Sequence, residues 1–158
     1  MQQMKTIDTR IEAMHIVQNA DLNGAQKLFG GRLMEWMDEA AVLSARRYAK
    51  CEVVTGTVDS IVFYRGAQSG DAISIEAQVT YTTKSTMEVR VMVHVVHMNG
   101  VKELINKAYF VMVTVPNPVT GEKVILPELI LESEKEKQEW KNGSLRNQIR
   151  IERRMENI

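Results

Sequence analysis

The run Phe29-Gly30-Gly31-Arg32-Leu33-Met34-Glu35-Trp36-Met37-Asp38-Glu39-Ala40-Ala41-Val42-Leu43-Ser44-Ala45 decides how this chain folds. Two glycines open it, and neither glycine nor proline follows before Lys50. Leu33, Met37, Ala40, Ala41 and Ser44 recur at helical spacing, which predicts one long helix over residues 29–50. Small residues dominate its apolar face (Ala40, Ala41, Ser44, Ala45), so a sheet can approach the axis closely. That points to a central, buried helix.

On the N-terminal side, residues 9–17 alternate, with Ile11, Ala13, His15 and Val17 on one face, as a strand would. A polar loop over residues 18–27 joins it to the helix and carries Asn19, Asp21, Asn23 and Gly24. Beyond Cys51 the period changes to two. Strands are predicted over residues 53–64 (interrupted by Gly56), 73–81, 87–95 and 104–115. Gly70-Asp71, Thr82-Thr83-Lys84-Ser85 and Asn99-Gly100 turn the chain between them, and Pro116 and Pro118 end the series. Strand, long helix and about four antiparallel strands make an α+β domain over residues 1–130. A single sheet wrapped on one helix leaves its other face and its edges in need of cover, which favours self-association. Residues 131–158 form a charge-dense tail with basic residues gathered at Arg146, Arg150, Arg153 and Arg154. It is expected to be a solvated helix lying along a partner subunit, and a phosphate site at its basic end is left open.

Composition removes several function classes. The chain has 158 residues, 20 Lys plus Arg against 20 Asp plus Glu, and no apolar run long enough to span a bilayer, so neither nucleic acid nor a membrane is an expected partner. A single cysteine, Cys51, excludes an internal disulfide and suits a reducing compartment, so a cytoplasmic location is expected. His94 and His97 are three apart in a strand and point to opposite faces, and no cluster has metal-ligand spacing, so no metal is expected. Gly-x-Ser-x-Gly is absent, as are phosphate-loop glycine patterns. Cys51 follows the helix, where no dipole activates a thiol.

What remains lies around the helix start. Gly30 and Gly31 lack Cβ atoms, so a ligand can reach the free N–H groups of the first turn, which suit a polarised carbonyl or oxyanion. Asp38, two turns on, sits in line with Met34, Ala41, Val42 and Ala45. Its residue type and position leave two readings open, an exposed helix carboxylate or a functional acid. Asn23 is open in the same way, between a turn residue and an amide that orients a water or a carbonyl.

Asp21-Leu22-Asn23, Leu28-Phe29-Gly30-Gly31-Arg32-Leu33-Met34 and Trp36-Met37-Asp38-Glu39-Ala40-Ala41 together resemble the signature of hotdog-fold acyl-CoA thioesterases, the bacterial acyl-CoA hydrolases related to the brain cytosolic enzyme. The resemblance continues through Val53-Val54-Thr55-Gly56-Thr57-Val58-Asp59-Ser60, Gly70-Asp71, Ser85-Thr86-Met87-Glu88-Val89 and Ala108-Tyr109-Phe110-Val111. It implies a hotdog fold, hydrolysis of acyl-CoA to CoA and a carboxylic acid, and no cofactor beyond the CoA of the substrate. It also implies a site at a dimer interface, usually in a hexamer built as a trimer of dimers. By position it assigns catalysis to Asn23, Asp38 and the N–H at Gly31. Binding of substrate and CoA falls to Phe29, Gly30, Ser85, Thr86 and Met87. The chain departs from many relatives at Gly24-Ala25-Gln26-Lys27, where they carry His or Asn, and at Gly66, where they carry Pro. Two alternatives share the fold: a non-catalytic acyl-CoA binder and another CoA-thioester enzyme. A dehydratase would typically need a histidine in the loop or helix, and neither place has one.

Overall fold

The structure, a computed structural model, describes residues 2–158. Its elements run β1 (Gln3–Lys5), β2 (Ile11–Ile16), α1 (Gly30–Ala49), β3 (Val53–Phe63), β4 (Ala72–Thr82), β5 (Thr86–Val96), β6 (Lys102–Thr114), β7 (Glu128–Ile130) and α2 (Glu134–Glu156). Five strands form one antiparallel sheet in the order β2-β4-β5-β6-β3. The predicted long helix is present almost residue for residue, and it packs on one face of that sheet. The α+β expectation therefore holds. A short parallel pair, β1 with β7, ties the start of the chain to the segment before α2. Three-residue strands carry no readable periodicity, and the sequence pattern missed both.

α1 buries Leu33, Met37, Ala40, Ala41, Ser44, Ala45, Tyr48 and Ala49. Opposite them, Ile73, Ile75, Ala77 and Val79 of β4 and Met87, Val89, Val91 and Val93 of β5 are fully buried. Each large aliphatic chain so buried contributes about 1.5–3 kcal/mol, and the alanines of α1 let the layers close without voids. Ser44 Oγ donates to the Thr9 carbonyl at 2.8 Å, so the hydroxyl on this face is satisfied. Lys50 takes a left-handed conformation (φ 53°) and closes the helix, with its N–H bonded to the Arg46 carbonyl.

The other face of the sheet is polar, and α2 lies across part of it. Ser133 and Glu136 cap this helix reciprocally. Glu88, on β5, is 1% exposed and accepts from Arg146 at 2.7 Å and from Arg150 at 3.0 Å. Arg146 also stands 3.6 Å over the Tyr109 ring. Gly143 allows this approach, because a Cβ there would meet Tyr81 Cβ at 2.5 Å. The expected tail helix is present and largely exposed, but Arg146 and Arg150 reach from it onto the sheet of their own chain. Charge density alone does not reveal that, since the deciding partner is one buried glutamate on a distant strand.

Candidate active site

The loop before α1 is a compact hairpin. Leu22 bridges Leu28, and the Asn23 N–H bonds the Lys27 carbonyl at 2.7 Å. Asn23 Oδ1 accepts from the N–H groups of Ala25 (2.9 Å) and Lys27 (3.2 Å), which explains why an asparagine stands at this turn. Its Nδ2 donates to no described residue and is exposed. The turn reading of Asn23 therefore holds for its oxygen, and its amide N–H groups stay free to donate.

Phe29 N–H bonds the Asp21 carbonyl at 2.8 Å, and its own carbonyl accepts the first helical bond, from Leu33 at 3.1 Å. The N–H groups of Gly30, Gly31 and Arg32 thus open the helix without intrahelical partners. Gly31 lines an open cleft of about 290 Å³ together with Asp21, Leu22, Phe29, Arg32 and Glu35. A Cβ on Gly31 would meet the Phe29 ring at 2.6 Å, so glycine keeps that ring over the helix start.

Asp38 is half-buried, and it has a partner the sequence reading did not single out. Thr55 Oγ1 donates to Asp38 Oδ1 at 2.5 Å. Thr55 is exposed on β3, which pairs only with β6 and leaves its other side free. One carboxylate oxygen is therefore held by a hydroxyl at the open edge of the sheet. The signal for Thr55 was available but thin: a hydroxyl residue just before Gly56 in a strand that faces the helix. Along α1, Asp38 lies eight residues beyond Gly30, about 12 Å at 1.5 Å per residue. Within one chain, Asn23 and Asp38 share no hydrogen bond.

The predicted binding segment sits in the same part of the sheet. Thr55 pairs with Met112, and Met112 with Met87, so the three form one row across β3, β6 and β5. Ser85 is exposed and Thr86 half-buried at the turn that leads into this row. Met87 needs correction: its side chain is 0% exposed in the core against α1, because strand alternation turns it inward. Met37, Met87 and Met112 fill the core, where an unbranched thioether fits irregular gaps.

The remaining nucleophile and ligand candidates fall away on structural grounds. Burial and the neighbouring Glu52 push the Cys51 thiol up, away from thiolate. His15 stacks on Trp36 with ring centroids 4.2 Å apart. Among the described residues no three His, Cys, Asp or Glu side chains gather as metal ligands would.

A long helix cradled by an antiparallel sheet, with an open glycine start and a hydroxyl-held aspartate facing the free edge, is the hotdog arrangement of thioester-binding domains. Residues 25–100 match the thioesterase superfamily. An apo hexameric acyl-CoA thioesterase is 30% identical, with a TM-score of 0.89 over 97% of this chain and 97% of that one. The acyl-CoA hydrolase of Staphylococcus aureus, solved with coenzyme A, is 27% identical, with a TM-score of 0.91 over 99% of this chain and 93% of that one. The acetyl-coenzyme A thioesterase of Rattus norvegicus is 31% identical over 137 residues, 86% of this chain but 24% of that protein, so the chain spans about a quarter of that relative's length. The chain belongs to the hotdog-fold acyl-CoA thioesterase family. Structures exist of the Staphylococcus aureus enzyme with an asparagine, an aspartate or a threonine replaced by alanine. Those residues are spaced 15 and 17 apart, the separations of Asn23, Asp38 and Thr55 here.

Proposed function

We propose that the chain hydrolyses acyl-CoA thioesters to free CoA and a carboxylic acid. The observation that carries the reading is the Asp38 carboxylate, held by Thr55 at the open edge of β3. The thioester carbonyl oxygen accepts from the Gly31 N–H at the helix start, where the dipole favours the charge that develops in the tetrahedral intermediate. Asn23 Nδ2, the free half of its amide, donates to the same substrate or to the attacking water. Asp38 either takes a proton from water, which then adds to the carbonyl carbon, or attacks that carbon itself and is freed by water in a second step. In both routes the C–S bond breaks and the thiolate leaves with the electron pair. A thiolate is a good leaving group, so the chemistry calls for no metal or redox cofactor.

The active unit in this reading is a dimer in which Asp38 of one chain faces Asn23 of the other, assembled further into a hexamer as a trimer of dimers. Exposed Val54, Val62 and Phe63 on β3, with Phe29 just before α1 and Met34 on it, give that edge an apolar surface a second copy would cover. Hexameric relatives and a Staphylococcus aureus complex with butyryl coenzyme A support the same reading. No helix is long and apolar enough to cross a membrane. The single cysteine fits work in the cytoplasm. The test is thiol release from a panel of acyl-CoAs of rising chain length. Wild type is expected to turn over part of the panel, and Asp38→Ala to lose several orders of magnitude with its fold intact. Turnover that survives Asp38→Ala removes that residue from the mechanism. Binding without turnover by wild type would make the chain an acyl-CoA binder instead.

A further inference from the structure

Buried polar side-chain atoms are nearly always paired, and an unpaired one needs a reason. Among the described residues three such atoms have no hydrogen-bond partner, and two of them are Oδ1 and Nδ2 of one residue, Asn106 on β6. Asn106 is 0% exposed. Its side chain lies on the sheet face turned to α1, because its strand partners there are Val93, fully buried in the core, and Phe63. The register slips beside it, so Ile105 and Asn106 together oppose Val93, and Ile105 is buried as well. An amide carries two donors and an acceptor. A leucine of similar size would fill this space without leaving any of them idle.

The idle amide stands close to where the thioester would react. The row Phe63, Asn106, Val93 crosses the sheet below the start of α1, since the Phe63 ring comes within 3.7 Å of the place a Cβ on Gly30 would take. Neighbouring strands lie about 4.8 Å apart, so Asn106 is one strand inward from that ring. The thioester carbonyl is assigned above to the N–H of Gly31, the next residue along the helix. An acyl group that enters from there, between the exposed Phe63 ring and the first turn, meets the Asn106 amide within a few carbons. Phe63 also belongs to the apolar edge that a second copy would cover, which keeps water from this path. A plain hydrocarbon chain offers the amide nothing. An oxygen on the chain supplies the partner that the fold does not.

We infer that Asn106 determines acyl specificity: its amide receives a hydroxyl or keto oxygen carried by the acyl chain, so oxygenated acyl-CoAs are preferred to plain ones of equal length. The inference rests on the acyl-CoA reading above. Wild type is assayed on a plain acyl-CoA and on its 3-, 4- and 5-hydroxy counterparts. One hydroxylated isomer is expected to exceed the plain thioester in kcat/KM by roughly tenfold, because the amide has already lost its water and gains a bond at no further desolvation cost. Asn106→Leu should abolish that advantage, and Asn106→Ser, which keeps a hydroxyl, should retain part of it. Asn106→Leu should also melt no lower than wild type, since it removes buried atoms that nothing in the fold pairs. A lower melting temperature with the preference unchanged would give Asn106 a purely structural role and overturn the inference. A wild type that favours no hydroxylated isomer overturns it without any variant. Calorimetry of the same thioesters with the Asp38→Ala protein reads the contact without turnover, and equal affinities for plain and hydroxylated chains would also overturn it. If wild type hydrolyses none of them, the acyl-CoA reading fails, and the calorimetric comparison still decides for or against Asn106.

Discussion

Replacing Thr55 by valine should slow hydrolysis by about tenfold while leaving the fold untouched. The substitution keeps the shape of the side chain and removes one hydroxyl, at a position already exposed on β3. That hydroxyl donates to Asp38 Oδ1 at 2.5 Å. Hydrogen bonds to charged groups contribute about 1.5–3 kcal/mol, and an exposed donor belongs at the lower end. Some 1.5 kcal/mol corresponds to about a tenfold change in rate if the bond orients Asp38 in the transition state. Steady-state thiol release at saturating acyl-CoA measures it, and Thr55→Ser, which keeps the hydroxyl, should retain most of the rate. The bond can act only through Asp38, so Thr55→Val in an Asp38→Asn background should cost nothing further. A Thr55→Val protein with unchanged kcat, or one whose loss adds in full to that of Asp38→Asn, would refute the reasoning.

Glu88→Ala should destabilise the protein by about 3–5 kcal/mol, since it strands Arg146 and Arg150 against the sheet without their buried partner; urea melts at fixed protein concentration read the loss. The docking of α2 should also fail in acid. Burial opposes the charge on Glu139, but the hydrogen bond from Tyr109 and the nearby Arg90 and Arg146 outweigh it and hold its carboxyl below the ordinary 4.5. A lowered carboxyl stabilises the fold above that ordinary value, and the contribution is lost as pH falls below it. Fluorescence of Trp140, which packs on Tyr81 at 4.8 Å, should report α2 loosening under pH 4.5 before the sheet melts.

The parts of this fold that were legible in the sequence are those with a sustained period. α1 and the strands β3 to β6 each hold their pattern over many residues, and the structure places them within two residues of expectation at most ends. The parallel pair β1 and β7 was invisible, because three residues carry no period. The site divides in the same way. Gly30, Gly31 and Asp38 stood out by local context, whereas Thr55 acquires its meaning only when strand pairing brings it to Asp38. Met87 misled, because motif position says nothing about which face of a strand a side chain takes. The docking of Arg146 and Arg150 was hidden for a related reason, since a charged helix shows no inward face until Glu88 is seen beneath it.

The central claim is that two chains complete one site, and mixing two inactive proteins tests it most directly. Asn23→Ala and Asp38→Ala chains are each expected to be inactive alone. After denaturation together and refolding at equal amounts, half of the dimers are mixed, and each mixed dimer rebuilds one of its two sites. Acyl-CoA hydrolysis should then return to about a quarter of the wild-type rate, as random pairing in a two-fold dimer requires. If each chain holds a complete site of its own, every chain in the mixture still carries one defect. No return of activity at any mixing ratio would contradict the shared site.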